Sequence, residues 1–167
     1  DGQIQVALDG KIGKDVFWLP RLGFEIELPG DIKKFSYYGR GPIENYCDMH
    51  HWAPVGMYES DAEKEYVNYV YPQEHGNHTG VKLLRIGDLE ITSSTGFECN
   101  VSEYTAKMLY QAKHTDELKK DGKTHLRIDY KVSGLGSNSC GPELLEKYRL
   151  AEKEIAFAFS IAPVLKG

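Results

Sequence analysis

The sequence predicts an all-β fold: a large antiparallel β-sandwich with one short helix, formed as a single domain over residues 1–167. Three observations carry this prediction. Apolar residues alternate with polar or small ones in several segments, as they do along a strand whose side chains point to opposite faces in turn. Glycine supplies 17 of 167 residues, above the usual figure of about 7%, so turns are frequent. The 11 tyrosines offer the flat, half-buried surfaces that strands favour. The length fits about one domain, at roughly 150 residues each, and suffices to bury a sizeable core.

In chain order, Ile4, Val6 and Leu8 form the first alternating set, and Phe24, Ile26 and Leu28 the second. Phe97, Cys99 and Val101 follow, then Leu126, Ile128, Tyr130 and Val132, and last Ile155, Phe157, Phe159 and Ile161. Less regular strands are expected at 32–38, 66–71, 81–86 and 89–93, each bounded by Gly, Pro, Asp or Asn. About nine strands in a chain of this size make a sandwich. Its inward rows are expected to bring Phe24, Ile26, Phe97, Ile128, Phe157 and Phe159 to a common core.

Asp9-Gly10 and Gly87-Asp88 are expected to close tight hairpins, and Asp121-Gly122 a turn before the Leu126 strand, because such pairs supply positive φ. One helix is expected over 103–111, with Ser102 as N-cap and Ala106, Leu109 and Tyr110 along one side. A further helical turn is expected from Thr115, ahead of Asp116 and Glu117. Segments 39–62, 72–80 and 134–153 are long and rich in Gly, Pro and Asn. Loops of this kind on a rigid sheet are where binding residues gather.

The chain carries 25 acidic and 20 basic residues, a net charge of −5, with no Lys/Arg block longer than two. That charge lacks the footprint of nucleic-acid binding, and nucleic acid is not an expected partner. The longest wholly apolar run, from Ile155 to Phe159, is far short of the roughly 18 residues of a membrane span, so no membrane partner is expected either. Asp1-Gly2-Gln3 does not open a signal peptide, and a start so close to a strand suggests a piece of a longer polypeptide. Cys47, Cys99 and Cys140 are odd in number and form no C-x-x-C pair, which points to free thiols in a reducing compartment.

Glu44 and Asp48 could approach each other as an acid and nucleophile pair. In a loop of this composition such carboxylates more often tie down their own backbone, and that role is expected. His50-His51 and His75-x-x-His78 fit no zinc spacing and lack a third ligand. The stretch from Pro72 to Gly80 is dense in amide, imidazole and carboxylate groups, the partners that sugar hydroxyls use. Asn77-His78-Thr79 and Asn100-Val101-Ser102 match the glycosylation pattern, fortuitously in a chain with free thiols. Nothing around Cys140 marks the electropositive helix N-terminus that would activate it as a nucleophile.

Four motifs occur in a telling order. They are Leu19-Pro20-Arg21-Leu22-Gly23, Gly39-Arg40-Gly41-Pro42-Ile43-Glu44-Asn45-Tyr46-Cys47-Asp48, Tyr71-Pro72-Gln73-Glu74-His75-Gly76, and Gly134-Leu135-Gly136-Ser137-Asn138-Ser139-Cys140-Gly141-Pro142. Together they resemble the C-terminal, small-chain domain of glycoside hydrolase family 2 β-galactosidases, over nearly the whole chain. The resemblance implies a galactose mutarotase-like supersandwich attached behind a catalytic (β/α)₈ barrel that holds both catalytic glutamates. It implies no catalytic residue in this segment and an isolated chain without hydrolytic activity.

In that family the last motif commonly reads G-x-G-G-D-x-S-W-x-P, with its Trp stacking on sugar at the cleft. Here the motif is one residue shorter and Cys140 stands where the Trp would fall. The expected substrate-binding residues are His75, Asn77, His78, Asn138, Ser139 and Cys140. The expected partners are a β-galactoside sugar, the barrel of the same enzyme, and further copies in a homo-oligomer of a bacterial-type, cytoplasmic enzyme active on substrates such as lactose. No metal or other cofactor is expected in this segment, any Mg or Na belonging to the whole enzyme. The competing readings are a stand-alone carbohydrate-binding module, a mutarotase-like epimerase built on Glu74, His75 and His78, or a purely architectural domain.

Overall fold

The computed structural model describes residues 2–136 and 142–164. Its strands are β1 (Ile4–Lys11), β2 (Arg21–Pro29), β3 (Lys34–Arg40), β4 (Val55–Asp61), β5 (His78–Ile86), β6 (Leu89–Ser102), β7 (Lys123–Val132) and β8 (Glu154–Pro163). One short helix, α1 (Ala106–Gln111), lies between β6 and β7. All strand pairings are antiparallel.

The two layers of the sandwich grow out of one long strand. The first part of β6 pairs with β8 through Leu89 to Thr92, and its last part pairs with β7 from Glu98 to Ser102. β5 borders β6 along its other edge, with irregular register between His78 and Leu83. The sheet therefore divides into a β8–β1 branch and a β7–β2 branch, and the two close on each other face to face. The Phe24 and Phe159 rings lie 5.6 Å apart edge to face, and Tyr130 meets Phe157 at 5.9 Å.

Between the branches sit Phe97, Ile128, Phe157 and Phe159, fully buried as expected, with Phe24 and Ile26 half-buried against them. Cross-strand rows such as Phe24–Ile128–Cys99 and Ile26–Leu126–Val101 explain why alternation was a sound guide. One slip of register would turn every one of these side chains outward.

Several expectations are corrected. Asp9-Gly10 makes no turn: β1 runs through both, opposite Ala156 and Ile155. Residues 66–71 form no strand, while the unpredicted β4 pairs with β3 from Val55 to Asp61. Segments 89–93 and 97–101 are parts of one strand, so the described residues hold eight strands. Gly87 and Gly122 do take positive φ, at 56° and 80°, at the turns expected there.

The helix starts later than expected, because Ser102 is still paired with His125 in the sheet. Thr105 is the N-cap, its Oγ1 accepting from Met108 N at 3.1 Å. Thr115–Glu117 forms a 3-10 turn. Thr105→Ala should lower stability by about 1 kcal/mol, the usual cost of a lost cap. A thermal melt superimposable on that of the parent protein would show that packing alone holds α1.

Candidate functional site

The outer face of the β2–β7–β6 layer is polar; it is covered over β6 and β7, while Gly23, Glu25 and Glu27 of β2 stay exposed. Three cross-strand rows make it up: Gly23–Asp129–Glu98, Glu25–Arg127–Asn100 and Glu27–His125–Ser102. In the first row a bulge at Leu22/Gly23 brings Arg21 over the strand. A Cβ on Gly23 would stand 2.2 Å from Asp129 Oδ1, so glycine leaves the room in which Arg21 meets Asp129. Arg21 also pairs with Glu74 at 3.0 Å.

Burial works against the Arg21 charge, but Asp129 and Glu74 outweigh it and hold the guanidinium firmly protonated. For Asp129 the balance falls the other way: burial raises its pKa, with Arg21 opposing. Burial likewise pushes Glu98 up to about 7, against the hydrogen bond from Asn77.

The 72–78 loop lies on this polar face. Asn77 Nδ2 donates to Glu98 at 2.7 Å, and Asn100 Nδ2 donates to the His75 carbonyl. Arg127 holds Asn100 Oδ1 at 2.6 Å, the Tyr104 carbonyl at 2.8 Å and Glu25 at 2.8 Å. Each polar row thus ends in a bond that orients the loop or the segment leading to α1.

Beyond the loop sits the turn at 41–49, which makes consecutive contacts to its surroundings. Glu44 accepts from Gly76 N at 2.8 Å and from the Tyr69 hydroxyl. Asn45 donates its N–H to Asn77 O at 2.7 Å, and its Oδ1 accepts from both Thr79 N and Thr79 Oγ1. The Cys47 thiol lies 3.4 Å from Tyr148 O and 3.7 Å from Val132 O. Asp48 accepts from Leu135 N at 3.1 Å and Gly136 N at 2.8 Å.

Glu44 and Asp48 are therefore not an acid and nucleophile pair. They tie down backbone as expected, but the backbone belongs to two other loops rather than their own. Burial pushes the Cys47 thiol up to about 11 and raises Cys99 well above the usual thiol range, which leaves both as inert thiols at neutral pH.

His75, Asn77 and His78 are all buried, with His78 fully enclosed. His75 Nδ1 bonds Gln73 O at 2.8 Å. His78 Nε2 lies 2.9 Å from the Glu65 carboxylate, and its Nδ1 lies 2.9 Å from the Tyr37 hydroxyl and 3.3 Å from the Arg40 carbonyl. This His–carboxylate pair has no opening in which a sugar could sit, so it offers nothing to an epimerase. Asn77 and Asn100 are fully buried, which removes both from glycosylation in the folded chain. Asn138, Ser139 and Cys140 lie outside the described residues.

Beside the loop an open groove of about 800 Å³ runs between Pro20–Arg21, the 71–74 segment and α1. Its rim carries Tyr110, 84% exposed, and Tyr71, 55% exposed, and Val70 next to them is entirely exposed. Among the described residues no group of three or more His, Cys, Asp and Glu side chains could hold a metal ion. No helix among them is long and apolar enough to cross a membrane.

Residues 1–161 match the family described as beta galactosidase small chain. The chain belongs to this family. A β-galactosidase of Actinobacillus pleuropneumoniae is 40% identical over 161 residues, which cover 96% of this chain and 16% of that protein. One of Staphylococcus xylosus is 35% identical over 169 residues, covering 96% and 17%, and one of Kluyveromyces lactis 37% over 150 residues, covering 86% and 14%. The small chain spans about one-sixth of the length of the curated relatives it matches.

Sequence reasoning missed the polar face of this small chain. Glu98, Asn100 and Ser102, like His125, Arg127 and Asp129, occupy the positions between the apolar residues that drew attention. The available signal was charge on three neighbouring strands facing a glycine-rich loop. Ordinary alternation assigns such positions to solvent, and only tertiary packing covers them.

Proposed function

We propose that this chain is the C-terminal part of a β-galactosidase, an enzyme that hydrolyses terminal non-reducing β-D-galactose residues in β-galactosides. In this reading it completes the galactoside cleft of a catalytic barrel supplied by the same polypeptide. The observation that carries it is the convergence of the 72–78 loop and the 134–136 segment on one turn, beside a groove rimmed by exposed tyrosines. The exposed Val70, Tyr71 and Tyr110 form an apolar rim suited to cover by a neighbouring domain.

The proton-transfer and nucleophilic groups belong to the barrel, because the oxygens of Glu44 and Asp48 are committed to backbone amides and the Tyr69 hydroxyl. Buried His75, Asn77 and His78 shape the cleft wall from behind, and Asn138, Ser139 and Cys140 are the proposed sugar contacts. The full enzyme is a cytoplasmic homo-oligomer acting on substrates such as lactose, with any Mg or Na held outside this segment.

The test compares full-length enzyme with an enzyme lacking this segment, and with the segment alone. Only the first should turn over nitrophenyl galactoside at the full rate, and the segment alone should release no nitrophenol. Cys140→Trp in the full enzyme should lower KM about fivefold, by the ~1 kcal/mol that an added aromatic contact supplies. Unchanged kinetics after removal of the segment would reduce its role to architecture.

A further inference from the structure

The turn at 41–49 carries two carboxylates four residues apart, and each is spent on a different distant segment. Glu44 reaches 32 positions along the chain to Gly76, and Asp48 reaches 87 and 88 positions to Leu135 and Gly136. Between them Asn45 clasps Asn77 and Thr79, and Cys47 abuts the Val132 and Tyr148 carbonyls. The turn therefore ties the 72–78 loop to the 134–136 segment, beside the separate link that Arg21 makes between Glu74 and Asp129 of β7.

The receiving segments are shaped for these contacts. A Cβ on Gly134 would lie 2.4 Å from the Asp48 carboxyl carbon, so only glycine lets the carboxylate come so near. Gly136 adopts a φ of 64°, which turns the backbone so that its N–H joins that of Leu135 on one carboxylate. Gly76, with a φ of 75°, presents its N–H to Glu44 in the same way. Two left-handed glycines, each pinned by a carboxylate from the same turn, define a clamp. A merely space-filling turn would need none of this.

We infer that Glu44 and Asp48 are positioning residues for galactoside binding: through one turn they fix, relative to each other, the two segments that border the cleft. The inference rests on the cleft role proposed above and adds the residues that set its width. Each carboxylate accepts N–H groups that would otherwise be unsatisfied, and bonds to a charged acceptor are the stronger kind. Losing one loosens the glycine it pins and leaves the reacting groups of the barrel untouched.

The experiment uses the full-length enzyme with Asp48→Ala, Asp48→Asn and Glu44→Gln. KM for nitrophenyl galactoside should rise about tenfold in Asp48→Ala, with kcat changed less than about twofold, as loss of a charge-assisted bond implies. Asp48→Asn keeps one acceptor oxygen and should fall between Asp48→Ala and the parent. Hydrogen exchange should accelerate at Leu135 and Gly136 in the Asp48 variants, and at Gly76 in Glu44→Gln. Ile155→Val, a core truncation in β8, controls for general loosening and should leave KM unchanged.

Faster exchange at Leu135 and Gly136 with KM unchanged overturns the inference, provided Cys140→Trp still shifts KM. If neither substitution moves KM, the cleft reading fails and takes the inference with it. A KM rise of the same size in Ile155→Val also overturns it, since loosening anywhere would then suffice. If Asp48→Ala does not fold, Asp48→Asn and Glu44→Gln decide the matter on the same readouts.

Discussion

Arg21→Met should cost about 3–5 kcal/mol of folding stability, the usual loss when one partner of a buried ion pair is removed. Methionine keeps the length and the apolar stem of the side chain, so little packing is lost. The loss comes from the partners left behind. Asp129 is almost fully buried, and Glu74, three-quarters buried, loses the contact that draws its loop onto the sheet. Without Arg21 only the weaker influence of Arg127 opposes the effect of burial on Asp129, whose carboxyl is already displaced upward.

Asp129→Asn in the same background should recover part of the loss, because a neutral amide needs no counter-charge. Urea unfolding of the two single variants and the double variant completes the cycle. A cost below about 1 kcal/mol for Arg21→Met would show that the pair behaves like an exposed one.

Glu98 dictates how stability depends on pH. Its carboxyl is raised from 4.5 to about 7, chiefly by burial, with the Asn77 amide, the Val132 N–H and Arg21 opposing and Asp129 adding to the rise. Between these two values the native chain binds a proton at Glu98 that the unfolded chain has released. The stabilisation is therefore fully present below pH 4.5 and is lost as pH rises through 7. The loss across that window is on the order of 3 kcal/mol.

Glu98→Gln cannot titrate, so its stability profile between pH 4.5 and 7 should be flatter than that of the parent. Asp129 shifts in the same direction, and comparing the two proteins cancels its share. Parallel profiles would show that Glu98 contributes nothing to the slope in this window.

The alternating strands were legible because each has one face on a large aromatic core, and a period of two is the direct image of that geometry. What escaped were features decided by partners far along the chain. Asp9-Gly10 has the composition of a turn, but Gly10 is carried straight on by its pairing with Ile155. β4 is an edge strand with Val55 and Met57 facing solvent and Tyr58 turned inward, so its pattern is inverted. Residues 66–71 have strand-like aromatics without a neighbouring strand to pair with.

The site was half legible for the same reason. The loop at 72–80 and the turn at 41–49 announce themselves by composition. The destination of each side chain does not, since Glu44 and Asp48 find their amides only once the sandwich has closed.

The pairing of β1 with β8 bears on the order in which the chain acquires its shape during synthesis. Among the described residues β1 pairs with β8 alone, in a register that runs from Ile4 opposite Ile161 to Lys11 opposite Glu154. At roughly 5–20 residues per second, a ribosome needs on the order of ten seconds to make the stretch between them. Throughout that interval Val6 and Leu8 remain without the strand that shelters them, and the edge of β1 stays open to pairing with another chain. Polar Gln5 and charged Asp9 and Lys11, set among those apolar residues, make such a wait tolerable. The β8–β1 branch is therefore completed by one long-range pairing, made only after β8 has been synthesised.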